Sequence, residues 1–229
     1  MKYAALIVAT RGVGGLPLYK GLARVAGKAM IEHVMSAVPE GSSEIFISAD
    51  SQEEACAYRE VAERFGATPV WSRSPSGEVT DKLVAAFERS DADTFLVLPC
   101  DTPMVSTALL AFLLEVAPGF NAVIPRWPNG DAEMLHASYN RGRFVECASS
   151  SKPGQPLLSD LVARLGNVLY VLTETLKQVD ERLDSFFVVE SRRDLARVQS
   201  ILERGAKFGS KQSGKERRGD LGRPRRGRR

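Results

Sequence analysis

Short apolar runs alternate with amphipathic stretches along the first 120 residues of the chain. Residues 3–9 (Tyr-Ala-Ala-Leu-Ile-Val-Ala) are uninterruptedly apolar, the pattern of a strand covered on both faces. A loop over 10–27 follows, holding Gly12, Gly14, Gly15, Pro17 and Gly21. Residues 28–38 read as a helix, with Met30, Ile31, Val34 and Val38 on one stripe. The same logic predicts strands over 44–49, 67–71 and 94–99, and helices over 52–65 and 78–90, the latter turning Leu83, Val84 and Phe87 inward. Ser106 is the expected N-cap of a helix running to Val116. Beyond it, strands are expected over 121–125, 135–139, 168–171 and 186–189, and helices over 156–165 and 192–204. The last helix carries Leu195, Val198 and Leu202 at helical spacing.

Strands alternating with helices imply βαβ units with right-handed crossovers, hence an α/β fold on a mostly parallel sheet. In such sheets ligands sit beyond the carboxyl ends of the strands, where the strand order reverses. The residues to examine are therefore 10–28, Asp50, 72–80, 100–104 and Glu190. The loop Ala9-Thr10-Arg11-Gly12-Val13-Gly14-Gly15-Leu16-Pro17-Leu18-Tyr19-Lys20 can bring backbone amides close to phosphate oxygens, with Arg11 and Lys20 adding positive charge. It is neither a P-loop nor a dinucleotide fingerprint, and a purely structural glycine turn fits it equally well. Asp101 in Leu98-Pro99-Cys100-Asp101-Thr102-Pro103 follows a buried strand directly, and the Thr-Pro after it enforces a turn. A carboxylate there suits Mg²⁺, a hard cation held by few carboxylates plus substrate phosphates; capping of the following turn is the plainer alternative. Glu190, before the last helix, is a second candidate ligand or simply a first-turn acid favoured by the helix dipole. His33 and His136 fall into no triad or metal spacing.

Composition changes this picture in one respect. The 229 residues carry net charge +3, but 209–229 hold nine basic and two acidic side chains, net +7, while the rest hold 22 and 26, net −4. This Gly-, Ser-, Pro- and Arg-rich segment has almost nothing to bury, so the chain divides into a folded domain over 1–208 and a basic disordered tail over 209–229. The tail is a solvated extension or a weak contact for nucleic acid or another phosphate-rich partner. Cys56, Cys100 and Cys147 are isolated and odd in number, as expected of thiols in a reducing cytoplasm. The longest clean apolar run, over 4–9, is far too short for the ~20 residues that cross a bilayer, so no membrane partner is expected.

These motifs resemble, over about residues 3–205, the molybdenum cofactor guanylyltransferase (MobA-like) family of GT-A-like nucleotidyltransferases. That family opens with Leu-Ala-Gly-Gly-x-Ser-x-Arg-Met-Gly-x-Asp-Lys; here Ala9 matches the alanine, Lys20 the lysine, and Ala26-Gly27-Lys28-Ala29-Met30 the element that follows. Leu98 to Pro103 matches its metal-binding Asp-x-Pro. Ala122-Val123-Ile124-Pro125-Arg126 and Glu133-Met134-Leu135-His136-Ala137-Ser138-Tyr139 resemble its Val-Pro-Arg and Glu-Pro-Leu-His-Ala-x-Tyr stretches, and residues 187–195 its closing motif. The departures are local: the paired glycines are Thr10 and Arg11, the loop arginine falls at Gly15, the loop aspartate is Tyr19, and the closing asparagine is Glu190. Gly77-Glu78-Val79 stands where Gly-Pro-Leu often follows the third strand.

The resemblance implies a three-layer α/β/α Rossmann-like fold and transfer of GMP from GTP to molybdopterin with release of pyrophosphate. It implies nucleotide contacts at Ala9, Thr10, Arg11, Gly12, Gly14, Gly15, Lys20, Asp50, Ser72, Gly77 and Asp101, with Lys20, Arg11 and Asp101 catalytic. Mg²⁺ would be held by Asp101 and Glu190, and the acceptor phosphate met by Lys28. A related transferase using another base or acceptor (a sugar phosphate, a phospholactate, a corrinoid precursor) shares this pattern, as does a non-catalytic nucleotide-binding protein.

Overall fold

The computed structural model describes residues 1–72, 78–150 and 157–204. The tail expected over 209–229, and Gly77, lie outside the described residues. Nine strands form: β1 (Tyr3–Val8), β2 (Arg24–Val25), β3 (Lys28–Ala29), β4 (Ile45–Ala49), β5 (Ala67–Trp71), β6 (Thr94–Pro99), β7 (Ala122–Arg126), β8 (Ala137–Asn140) and β9 (Val168–Leu172). The helices are α1 (Met30–Ala37), α2 (Gln52–Ala57), α3 (Arg59–Phe65), α4 (Val79–Phe87), α5 (Thr107–Glu115), α6 (Arg141–Ser149), α7 (Leu158–Leu165) and α8 (Thr173–Leu176). A last helix, α9, is described over 192–204.

Seven strands build one sheet in the order β5-β4-β1-β6-β8-β7-β9, and β2 and β3 form a separate small hairpin. Within the sheet only β8 runs antiparallel to its neighbours, β6 and β7. From β1 the chain winds outward through β4 to β5, then returns to place β6 on the other flank of β1. The strand order therefore reverses between β1 and β6, which opens a crevice at their carboxyl ends.

Alternation along β1 and β6 feeds both faces of the sheet. Ile7, Ile47, Leu96 and Leu98 pack with Ile31 and Val34 of α1 and with Leu109, Leu110 and Leu113 of α5. Leu6, Val8, Phe46, Phe95 and Val97 point to the opposite face, against Leu83 and Phe87 of α4, Phe144 of α6 and Leu161 of α7. The expected three-layer α/β/α architecture is the one observed. Ser106 caps α5 as anticipated, accepting from the Leu109 amide at 3.4 Å.

Three expectations need correction. The helix over 52–65 is two, interrupted at Tyr58, whose fully buried side chain sits where α2 and α3 meet. Lys28 and Ala29 belong to the β2–β3 hairpin rather than to α1, because they pair with Val25 and Arg24. Residues 186–189 do not form a strand. The Val189 amide donates to the Asp101 carbonyl at 3.0 Å, past the end of β6, so the segment meets the sheet at its rim and finds no ladder. Its apolar side chains are used elsewhere: Val189 and Phe187 join Leu195, Val198 and Leu202 of α9 against Ala23, Val25 and Met30.

Phe87 is fully buried, stacked on Phe95 at 4.0 Å between centroids and tilted against Phe144 at 4.9 Å. Phe87→Ala is expected to cost about 3–5 kcal/mol in chemical denaturation, since the aromatic cluster cannot close over the void.

Candidate active site

Strand register brings the candidate residues into a row. Val8 pairs with Ser48 on one side and Pro99 on the other. Two residues further on stand Asp50, Thr10 and Asp101, side by side across the carboxyl end of the sheet. At a strand spacing of about 4.8 Å, the two aspartates are about 10 Å apart with Thr10 between them.

Asp101 anchors one end. Its carboxylate takes the Lys20 ammonium at 2.7 Å, with both side chains buried (6% exposed each), and Thr10 Oγ1 donates to the same oxygen at 3.3 Å. Lys20 arrives there because the loop closes on itself. The Gly12 amide donates to the Leu18 carbonyl at 2.9 Å, Arg11 and Tyr19 form an antiparallel bridge, and the Lys20 amide donates back to the Thr10 carbonyl at 3.3 Å. A short 3₁₀ turn over Lys20–Leu22 then passes tightly under the strand ends. A Cβ at Gly21 would stand 3.0 Å from Tyr58 Oη and 3.1 Å from Cys100 Cβ, which is why this turn needs glycine.

Asp50 anchors the other end. Its amide is capped by Glu54 Oε2 at 2.7 Å, and its carboxylate meets Lys82 Nζ at 2.5 Å and Arg11 Nε at 3.6 Å. Lys82, on α4, also donates to the Ala9 carbonyl at 3.2 Å. Sequence reasoning missed Lys82. The available signal was a lysine beside the inward stripe of Leu83 and Phe87, on a turn facing the crevice.

The glycine loop is braced from the C-terminal side. Gly14 has φ +62°, and a Cβ there would come within 2.7 Å of the Glu190 carbonyl; Arg192 Nε donates to the Gly15 carbonyl at 2.8 Å. The structure thus brings the Glu190 backbone to the loop, with its side chain exposed. Between this loop and α9 lies a cavity of about 560 Å³ lined by Leu16, Arg24, Arg192 and Leu195; none of Lys20, Asp50 or Asp101 borders it. Lys28 is exposed on the β2–β3 hairpin. Ser72 follows β5, in a hollow shared with Trp71, Asp81 and Arg89. His136, which the sequence left without a role, is buried next to the site: its Nε2 lies 3.3 Å from Thr102 Oγ1 and its ring meets the edge of Phe186.

Where the strand order reverses, an aspartate and a lysine are thus paired past the strand ends, with a glycine loop beside them. The chain belongs to the MobA-like NTP transferase domain family, which matches residues 10–168. It is 28% identical over 184 residues to a probable molybdenum cofactor guanylyltransferase of Haloferax mediterranei, covering 79% of this chain and 85% of that protein. It is 25% identical over 205 residues to one from Bacillus cereus, covering 88% and 98%. The solved molybdopterin-guanine dinucleotide biosynthesis protein A of Archaeoglobus fulgidus superposes with a TM-score of 0.70 at 25% identity, over 89% of this chain and 100% of that one. A CMP:2-keto-3-deoxy-manno-octonic acid synthetase shares the fold, with a TM-score of 0.64 at 17% identity over 90% and 100%.

Two outcomes follow from the burial. Asp101→Asn leaves the Lys20 ammonium buried without a counter-charge, so denaturation should show a loss of about 3–5 kcal/mol. Burial, with the Asp101 charge beside it, pushes the Cys100 thiol up to about 11. At pH 8 it stays protonated, so an alkylating reagent mapped by mass spectrometry should label exposed Cys56 in the folded protein and Cys100 only after unfolding.

Proposed function

We propose that this protein transfers GMP from GTP to molybdopterin, releasing pyrophosphate. The observation that carries the reading is the buried Lys20–Asp101 pair at the reversal point of the sheet, in a chain of an NTP transferase family whose similar proteins are named probable molybdenum cofactor guanylyltransferases. The acceptor phosphate is already an oxyanion, so the reaction needs no general base. An acceptor oxygen attacks the α-phosphorus, the bond to the β-phosphate oxygen breaks, and pyrophosphate leaves with that electron pair. Catalysis is then in-line positioning plus neutralisation of charge on the leaving group.

Lys20 and Arg11 supply fixed positive charge to the phosphates, and the amides about Gly14 and Gly15 line their approach. The donor chemistry fits a hard divalent cation. Asp101 offers carboxylate oxygens, hard donors of the kind such a cation takes. Asp101, with Glu190 from the adjoining segment, would hold Mg²⁺, nucleotide phosphates completing its shell. The ion would supply charge neutralisation to those phosphates. Lys20 is the counter-charge of Asp101 and holds its ammonium at the end of β6. We assign Ser72, at the end of β5, to the nucleotide and Lys28 to the acceptor phosphate. We assign the protein to the cytoplasm, where its unbridged cysteines stay reduced. Among the described residues no helix is long and apolar enough to cross a membrane.

A panel of NTPs with Mg²⁺, with and without molybdopterin, followed by pyrophosphate release, tests this reading. GTP-only turnover that requires molybdopterin is expected. Turnover with another nucleotide or acceptor, or binding without turnover, would replace it. Asp101→Ala should lower the rate by at least ~100-fold, the scale of losing one preorganised electrostatic partner.

A further inference from the structure

Of the buried residues of α4, Leu83, Ala86 and Phe87 are apolar, Thr80 is a neutral hydroxyl, and Lys82 carries a charge. Desolvating an ammonium costs several kcal/mol, and an aliphatic residue of similar volume would pack there at least as well. Lys82 nevertheless lies buried at 6% exposure, and its nitrogen has two partners, Asp50 Oδ1 at 2.5 Å and the Ala9 carbonyl at 3.2 Å. Both belong to the rim of the crevice: Ala9 follows β1 and Asp50 follows β4. The second Asp50 oxygen faces Arg11, whose side chain is 63% exposed and whose Nε is 3.6 Å away. One cation is therefore buried and the other exposed, on opposite oxygens of a single carboxylate.

Resting on the nucleotidyltransferase reading, we propose that Lys82 is a positioning residue of the nucleotide site. It locks one oxygen of Asp50 against the end of β1. The other oxygen is then presented to hydrogen-bond donors of the bound nucleoside, on its ribose or its base, while Arg11 swings to the phosphates. Asp50 lies about 10 Å from Asp101 across two strand spacings, enough to put the nucleoside at one aspartate and the reacting phosphates at the other. A carboxylate without its lysine would be free to rotate and would lose that contact. Lys82 touches neither reacting atoms nor phosphate, so its effect belongs on nucleotide affinity.

The test compares Lys82→Met and Lys82→Arg with the wild-type chain, by GTP titration without acceptor, by steady-state turnover and by thermal melting. Lys82→Met should raise both the Kd and the KM for GTP by about tenfold, as expected for one lost charge-assisted contact, and change kcat by less than about threefold. Lys82→Arg should recover most of the affinity. A lower melting temperature for Lys82→Met with Kd and KM within about twofold of wild type would make the lysine merely structural and overturn the proposal. Should Lys82→Met not fold, the Lys82→Met/Asp50→Asn pair removes both charges of the buried pair at once and leaves the local net charge unchanged. Affinity of that double variant equal to wild type overturns the proposal; affinity matching Asp50→Asn alone supports it. Wild-type turnover with an indifferent Lys82→Met sinks this inference and leaves guanylyl transfer standing. Lys82-dependent GTP binding in a wild-type protein that turns over no acceptor does the reverse.

Discussion

An ammonium and a carboxylate held 2.7 Å apart out of water, Lys20 on Asp101, constrain the whole carboxyl end of this sheet. Neither charge is tolerable there alone, so every segment that places one must also place the other. Asp101 is set by β6, whose register with β1 runs without interruption from Tyr3↔Thr94 to Val8↔Pro99. Lys20 is set by a loop that returns to Thr10 and by a 3₁₀ turn that passes close to Cys100 and Tyr58 at Gly21. The C-terminal segment closes the arrangement when the Val189 amide bonds the Asp101 carbonyl and the chain at 190–192 packs on Gly14 and Gly15. A buried pair of this kind adds little net stability, but it fixes where the loop must end.

The same row of strand ends places the two residues that depart from the motif the sequence resembles. Thr10 reaches Asp101, and Arg11 reaches Asp50. These two side chains thus bond the two acids at the ends of β6 and β4. Charge is divided along the row: Lys20 balances Asp101, while Lys82 and Arg11 meet Asp50, whose amide bonds the Glu54 carboxylate. A polyanion arriving at the strand ends meets the exposed Arg11 guanidinium.

Much of this was legible along the chain, because the signals are local. The unbroken apolar runs of β1 and β6, the stripe of Leu195, Val198 and Leu202 and the Ser106 cap each depend on neighbours within a turn or a strand, and each stands as read. Residues just past the strands were singled out for the same reason, and Lys20, Asp50 and Asp101 do converge on one crevice. Other features had no local signal. Phe187 and Val189 look like strand residues, since apolar pairs suit a strand and a rim segment alike, and only the position of α9 decides between them.

Hydrophobic spacing by itself determined the layers, the direction of the chain through them and which residues lie at strand ends, because burial selects its residues over a few positions at a time. Tertiary structure alone decided the order of the strands, the insertion of β8 against the parallel direction and the register that aligns Asp50, Thr10 and Asp101. It also decided that a lysine on α4 would face an acid thirty-two positions earlier in the chain. Charges far apart in sequence meet only when packing removes the water between them, and no periodicity along the chain records that encounter.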